Sequence, residues 1–264
     1  MDTVLRVVPP TMFMAMQVSM VGTSLTIHRN RQVGSLSIFP FVSMFVNSFL
    51  WTCYGILRED YTVVVPNLSG TVVGLAGMFV FHTNAPIESY ELEGKYFYAG
   101  ASAFTLFGLL SFSYGADQLI GSVAVVMCVV LMGSPLVVLR TVLMDKNCQA
   151  MPFWTSFTTW INTLSWMLYG IVVAHDFMIY FPNICGFILA SFQMVLFAIF
   201  GIPAESWAGG YSPISVGTTK RTVSASIIAP AALQGKVPII PVRAVYSPQK
   251  DYSAGTPGGG GNTV

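Results

Sequence analysis

Charged residues and histidines cut the first 204 positions into seven long uncharged runs, at 7–27, 32–57, 61–81, 96–116, 118–139, 147–174 and 177–204. A helix rising ~1.5 Å per residue needs about 20 apolar residues to cross ~30 Å of hydrocarbon. Each run therefore predicts one membrane-spanning helix. Runs two and three are separated only by Arg58-Glu59-Asp60, and runs six and seven by His175-Asp176, which leaves no room for a soluble domain between them. Run one follows Asp2 and a lone Arg6 and lacks a small-residue cleavage site, so it reads as a helix rather than a cleaved signal. From 203 onward Pro, Gly, Ser and Thr dominate, ending in Gly258-Gly259-Gly260-Gly261. With too little contiguous apolar surface to offset its ordering entropy, 203–264 is expected to be a disordered tail.

Composition agrees with this pattern. The 264 residues are 54% hydrophobic and 9% charged, against roughly 25% charged in soluble domains. A soluble surface cannot be built from that, so the lipid bilayer is the expected partner. The net charge of +1 gives no basic patch for nucleic acid. Cys53, Cys128, Cys148 and Cys185 fit neither a zinc site nor a disulfide framework and read as packing residues. The basic residues set an expected orientation. Only Arg6 and Arg58 fall on the side of the N-terminus, whereas Arg29, Arg31, Lys95, Arg140, Lys146 and five tail residues fall on the other. The positive-inside rule puts the N-terminus outside and the C-terminus in the cytosol.

The chain also repeats itself. Asn47-x3-Trp51-x2-Tyr54-Gly55, then Asp60 and Pro66-Asn67-x2-Gly70, recurs as Asn162-x3-Trp166-x2-Tyr169-Gly170, then Asp176 and Pro182-Asn183-x2-Gly186. The offset is 115 residues up to the glycine and 116 after it, which places one inserted residue in the second loop. Three-helix units in tandem would face opposite ways in a membrane, and an extra span restores parallel orientation. Run four carries none of the repeated motif, so the predicted fold is an all-α membrane protein of seven transmembrane helices in a 3+1+3 plan. Its parts are 7–83, the linker helix 96–116, 118–202 and the tail.

The repeated polar residues are the candidate chemistry. Counted from the helix ends at ~1.5 Å per residue, Trp51, Asn67 and Asn183 lie ~9 Å deep and Trp166 ~12 Å. Asn47 and Asn162 precede the tryptophans by one turn on the same face. An amide in hydrocarbon is costly unless bonded. Two indole faces and two carboxamides at one level suit a sugar ring, whose C–H face lies on the indole while its hydroxyls trade bonds with the amides. For one Asn or Trp alone, helix glue or an interfacial belt is the better reading; duplication at matched depth reverses that. Tyr54, Tyr169, Asp60 and Asp176 sit near the mouth as a gate, or as belt aromatics and solvated loop charges. Pro40, Pro135 and Pro152 each remove a backbone hydrogen bond, as hinges or as fixed kinks. Gly70-x3-Gly74 reads as close helix packing.

The absences narrow the function further. No ionisable side chain lies well inside a run, which argues against proton coupling, and no buried base stands beside a nucleophile for catalysis. The sequence calls for no catalytic residue, metal or cofactor, and not for an enzyme.

These residues resemble the SWEET sugar-transporter family (MtN3/saliva-like, related to PQ-loop proteins): seven helices, the 3+1+3 plan, Ser134-Pro135-Leu136 closing span five, Met151-Pro152-Phe153 opening span six, and the two Trp/Asn hairpins. The resemblance covers roughly 10–202. It implies facilitated, bidirectional diffusion of mono- or disaccharides by alternating access, with Asn67, Asn183 and Trp166 in the sugar site. It further implies Pro40, Pro135 and Pro152 as hinges, and Tyr54, Tyr169 and Asp176 at the outer gate. Met20-Val21-Gly22 stands where the family usually has a proline. Trp51 stands where many plant members carry a small residue, and two indoles narrow the site toward a monosaccharide such as glucose. The plasma membrane is the expected location, and a homo-oligomer is compatible with the reading. The alternatives are a PQ-loop-type carrier for amino acids or another small metabolite, although Pro-Gln occurs only at Pro248-Gln249, or a seven-helix receptor without flux.

Overall fold

The computed structural model describes residues 1–34, 36–89 and 94–203. The expected tail, apart from its first residue, lies outside the described residues. Helix α1 runs over Asp2–Asn30, α2 over Phe39–Leu57 and α3 over Tyr61–Asn84. A single turn, α4 (Ile87–Ser89), precedes α5 (Lys95–Ser113). Span five is two helices, α6 (Asp117–Leu131) and α7 (Gly133–Asp145); α8 covers Phe153–Tyr169 and α9 Phe177–Phe200.

Several helices are shorter than the uncharged runs that predict them. Run two begins at 32 but α2 begins at 39, and run six begins at 147 but α8 begins at 153. A charge gap does not distinguish an apolar helix from an uncharged loop, and Gly34, with φ of 58°, ends the run-two loop's helical potential. Span five runs the other way. Its helix continues past 139 to Asp145, and the break falls at Met132, before Pro135. Among the described residues, six spans are long and apolar enough to cross a bilayer. The linker helix α5, at 19 residues, is long enough but more polar, with Ser102, Thr105, Ser111 and Ser113 along it.

The two repeats share one internal order. In the first, α3 packs against both α1 and α2; in the second, α9 packs against α8 and against α6 and α7. Each third helix is thus the central one of its bundle. The bundles meet reciprocally, α1 against α8 and α2 against α6, while α5 covers α2 and α6. The result is the 3+1+3 membrane fold. Small residues permit the close contacts. A Cβ added to Gly74 would lie 2.5 Å from the Phe45 backbone nitrogen on α2, and one added to Gly70 would lie within 3.1 Å of the Ser48 Cβ. That is the close helix packing the Gly70-x3-Gly74 spacing predicts. In the second repeat a Cβ added to Gly186 would lie 2.9 Å from Cγ2 of Thr163, the counterpart of Ser48.

The inserted residue of the second repeat does not lengthen the loop. It is absorbed as a π-helical turn over Gly170–Ala174 at the end of α8. Asp60 N–H bonds the carbonyl of Gly55, and Asp176 N–H bonds the equivalent carbonyl of Gly170, one residue further back. The extra residue widens one helical turn and leaves both hairpins the same closure. Glu59 and His175, equivalent positions, both take the left-handed conformation at φ of 55° and 48°.

Candidate functional site

Between the two bundles lies a cavity of about 170 Å³ whose lining includes all six predicted residues, Asn47, Trp51, Asn67, Asn162, Trp166 and Asn183. The remainder are Phe13, Val63, Cys128, Met132, Thr163, Ile179 and Pro182. Ten of these positions form five pairs at the repeat offset: 13 with 128, 47 with 162, 51 with 166, 63 with 179, and 67 with 183. The cavity therefore sits on the pseudo-two-fold axis.

The two central helices aim their amides identically. Pro66 and Pro182, each buried, remove one backbone donor from the turn that precedes Asn67 and Asn183. Asn67 Nδ2 then donates to the carbonyl of Val63 (2.8 Å), and Asn183 Nδ2 to that of Ile179 (2.7 Å). Each side chain is held along its own helix, with its carboxamide oxygen and second amide hydrogen left over. The Asn47 Oδ1 accepts from the Cys128 thiol at 3.3 Å. Its counterpart, Asn162 Oδ1, is buried without a hydrogen-bond partner among the described residues. Leaving such an acceptor unmade costs about 1–3 kcal/mol. Trp51 and Trp166 are each 8% exposed and present indole surface to the same space.

About 10 Å nearer the end that carries residues 58–60, seven residues before each Asn, four side chains cross-brace the bundles. Tyr54 Oη donates to Asp176 Oδ2 at 2.6 Å, and Tyr169 Oη donates to both oxygens of Asp60 at 2.7 Å. Each pair joins opposite repeats. Both tyrosines are 1% exposed. The same carboxylates cap helices: Asp60 accepts from the amides of Thr62 and Val63 at the start of α3, and Asp176 from Met178 at the start of α9. Arg58 adds charge on one side only, lying 3.7 Å from Asp176 and 3.5 Å from Asp117. Each tyrosine also meets the site tryptophan of its own helix edge-on, at 5.6 Å for Trp51 and 5.7 Å for Trp166. At this end the Tyr54–Asp176 bond is buried and the Tyr169–Asp60 bonds are part-buried, so the four side chains tie the two repeats to each other.

Toward the opposite end a second cavity, about 520 Å³, opens between α1, α2 and α8. Pro40 lines it from the first turn of α2. Pro152 is the N-cap of α8, and Pro135 is the third residue of α7. All three prolines stand at helix starts, where the missing N–H breaks no established helix; only Pro135 follows directly on another helix.

The sequence reasoning missed Phe13 and Cys128, because neither carries a motif. Their offset of 115 is the signal that connects them once either is known. It missed Gln17 as well, a buried amide in the middle of the first uncharged run.

Known proteins share this fold and its repeat. The model of the MtN3/saliva family, described as a sugar efflux transporter for intercellular exchange, matches twice, at residues 4–88 and 118–204, on either side of α5. Bidirectional sugar transporter SWEET17 of Arabidopsis thaliana is 27% identical over 189 residues, covering 69% of this chain and 78% of the relative. Sugar transporter SWEET1 of Drosophila pseudoobscura pseudoobscura is 25% identical over 188 residues, covering 69% and 82%. The 3.7 Å structure of a eukaryotic SWEET transporter superposes with a TM-score of 0.67 at 24% identity, covering 75% of this chain and 96% of that one. A family model matched in both repeats, and a fold shared with a solved member, identify the chain as belonging to the MtN3/SWEET family of sugar transporters, carriers rather than enzymes.

Proposed function

We propose that this protein is a bidirectional, facilitative uniporter for monosaccharides such as glucose, working by alternating access. The observation that carries the substrate class is the lining of the central cavity. It has two indole faces for the apolar side of a sugar ring and four carboxamides around it, one of them with a buried acceptor awaiting a donor. Hydroxyl groups supply such donors. Trp51, Trp166, Asn67 and Asn183 contact the sugar, with Asn47 and Asn162 one turn away. Both indoles crowd a cavity of about 170 Å³, which favours one ring over two.

Tyr54, Tyr169, Asp60 and Asp176 form the gate. With the N-terminus outside, as the division of basic residues favours, the braced end is extracellular and the conformation is closed to the outside. The plasma membrane is the proposed location, with residues 7–83 and 118–202 as the two repeats. Pro40, Pro135 and Pro152 provide places where helices bend as the gates exchange. Counterflow into liposomes preloaded with unlabelled sugar tests the reading: labelled glucose should exchange without an imposed gradient and without a protonophore effect. Exchange of amino acids and not of any sugar would overturn it.

A further inference from the structure

Gln17, on α1, is 3% exposed, the most buried amide among the described residues, and it has no place in the cavity lining. Its Nε2 donates to the carbonyl of Pro66 at 2.9 Å, and its Oε1 accepts from the Ser69 hydroxyl. Both partners lie on α3, on either side of Asn67. A single side chain thus ties α1 to the kinked turn that presents the site amide.

Among the described residues the second repeat has no such tie. The position 115 residues after Gln17 is Met132, and the match is structural: a Cβ on Gly70 would lie 3.3 Å from Gln17 Nε2, and a Cβ on Gly186 would lie 3.3 Å from Met132 Cε. Ser69 corresponds to Cys185. A thioether beside a thiol cannot reproduce a two-point amide latch. The helices differ in the same sense. α1 is continuous from Asp2 to Asn30 through Met20, whereas the equivalent of Met20 is Pro135, and the helix is interrupted at Met132. There the backbone bonds are weak, with Met132 N–H shared between two carbonyls at 3.2 Å and Leu136 N–H reaching Met132 O at 3.4 Å. Asn67 is buried at 7%, while Asn183 is only half-buried.

We propose that Gln17 is a positioning residue that fastens α1 to α3 as one rigid body carrying Asn67, so that of the two equivalent first helices only that of the second repeat, α6–α7, flexes against its central helix, jointed at Met132. The two repeats, alike in architecture, do unlike work. This rests on the alternating-access reading. Its geometry is specific: a 10° bend at Met132 moves Met144, 12 residues or ~18 Å further along the helix, by ~3 Å, while the equivalent end of α1 stays in place relative to α3.

The test uses spin-label pairs at equivalent exposed positions in the full chain, with its four cysteines replaced. One pair is Arg29→Cys with Thr83→Cys; the other, 115 and 116 residues later, is Met144→Cys with Ile199→Cys. Distances are compared between the parent and a Tyr54→Phe/Tyr169→Phe protein, which releases the gate without any sugar. The 144–199 distance should change by about 3 Å or more, beyond the 1–2 Å of ordinary helix adjustment, while 29–83 stays fixed. Adding Gln17→Met, or Gln17→Leu, should then let 29–83 shift or broaden as 144–199 does. A 29–83 distance that moves as far as 144–199 with Gln17 intact overturns the proposal. So does an unmoved 144–199, or a 29–83 pair indifferent to both Gln17 variants. Failure of the sugar reading would show separately, as distances that respond to the gate variant but not to added glucose.

Discussion

Tyr54→Phe removes one hydroxyl from the cross-brace and nothing else, since the ring keeps its edge-on contact with Trp51. The lost bond is a 2.6 Å donation to a carboxylate that is 8% exposed. Hydrogen bonds to charged groups contribute about 1.5–3 kcal/mol. Asp176 keeps its cap on Met178 and its approach to Arg58 in the closed state, so the lower half of that range applies, about 1.5–2 kcal/mol. The open state gains no compensating loss, because there the carboxylate is solvated with or without the tyrosine. At about 1.4 kcal/mol per factor of ten, the population open at this end should rise roughly 10- to 30-fold. Cys128 lines the central cavity and reports that population directly. A membrane-impermeant thiol reagent added on the side of residues 58–60, with the Cys128 peptide followed by mass spectrometry, should modify it roughly 10- to 30-fold faster in the variant, and Tyr169→Phe should act in the same direction. An unchanged modification rate in a folded Tyr54→Phe protein would refute the view that the cross-brace closes this end.

Asn67→Ala and Asn183→Ala should each remove most transport at unchanged surface level, since a lost bond to a sugar hydroxyl costs about 0.5–1.5 kcal/mol and an unpaired buried partner adds more; uptake normalised to surface protein measures it. Trp51→Ala or Trp166→Ala should weaken monosaccharide uptake and admit a disaccharide by enlarging the cavity, which parallel uptake of both sugar sizes reads out. Gly74→Ala should lower the melting temperature or abolish folding, because its new methyl would meet the α2 backbone at 2.5 Å and overpacking of this kind costs about 1–3 kcal/mol or more; a parental melting curve would contradict the contact.

The number of spans, the 3+1+3 plan and the six polar and aromatic residues of the central layer are all readable in the sequence. The reason is that these are one-dimensional quantities. Hydrocarbon thickness fixes how many apolar residues make a span, and the rise per residue turns sequence position into depth, so that Trp51, Asn67, Trp166 and Asn183 fall at one level before any packing is known. Depth does not specify neighbours. Only the tertiary structure decides that Tyr54 bonds Asp176 and Tyr169 bonds Asp60, each across the repeats rather than within its own hairpin. Only it decides that Cys128 satisfies Asn47 while Phe13, at the matching position, brings Asn162 no donor. Helix boundaries were blurred for a similar reason, since uncharged residues ahead of a helix, such as Ser37 and Ile38 before α2, and uncharged residues within one look alike to a count of charges. The placement of the inserted residue as a π turn, the break at Met132 and the latch at Gln17 depend on how individual backbone donors and carbonyls find partners once the helices are packed. Sequence spacing sets which groups share a layer; their azimuth and the competition for hydrogen bonds within it are settled only by the assembled bundle.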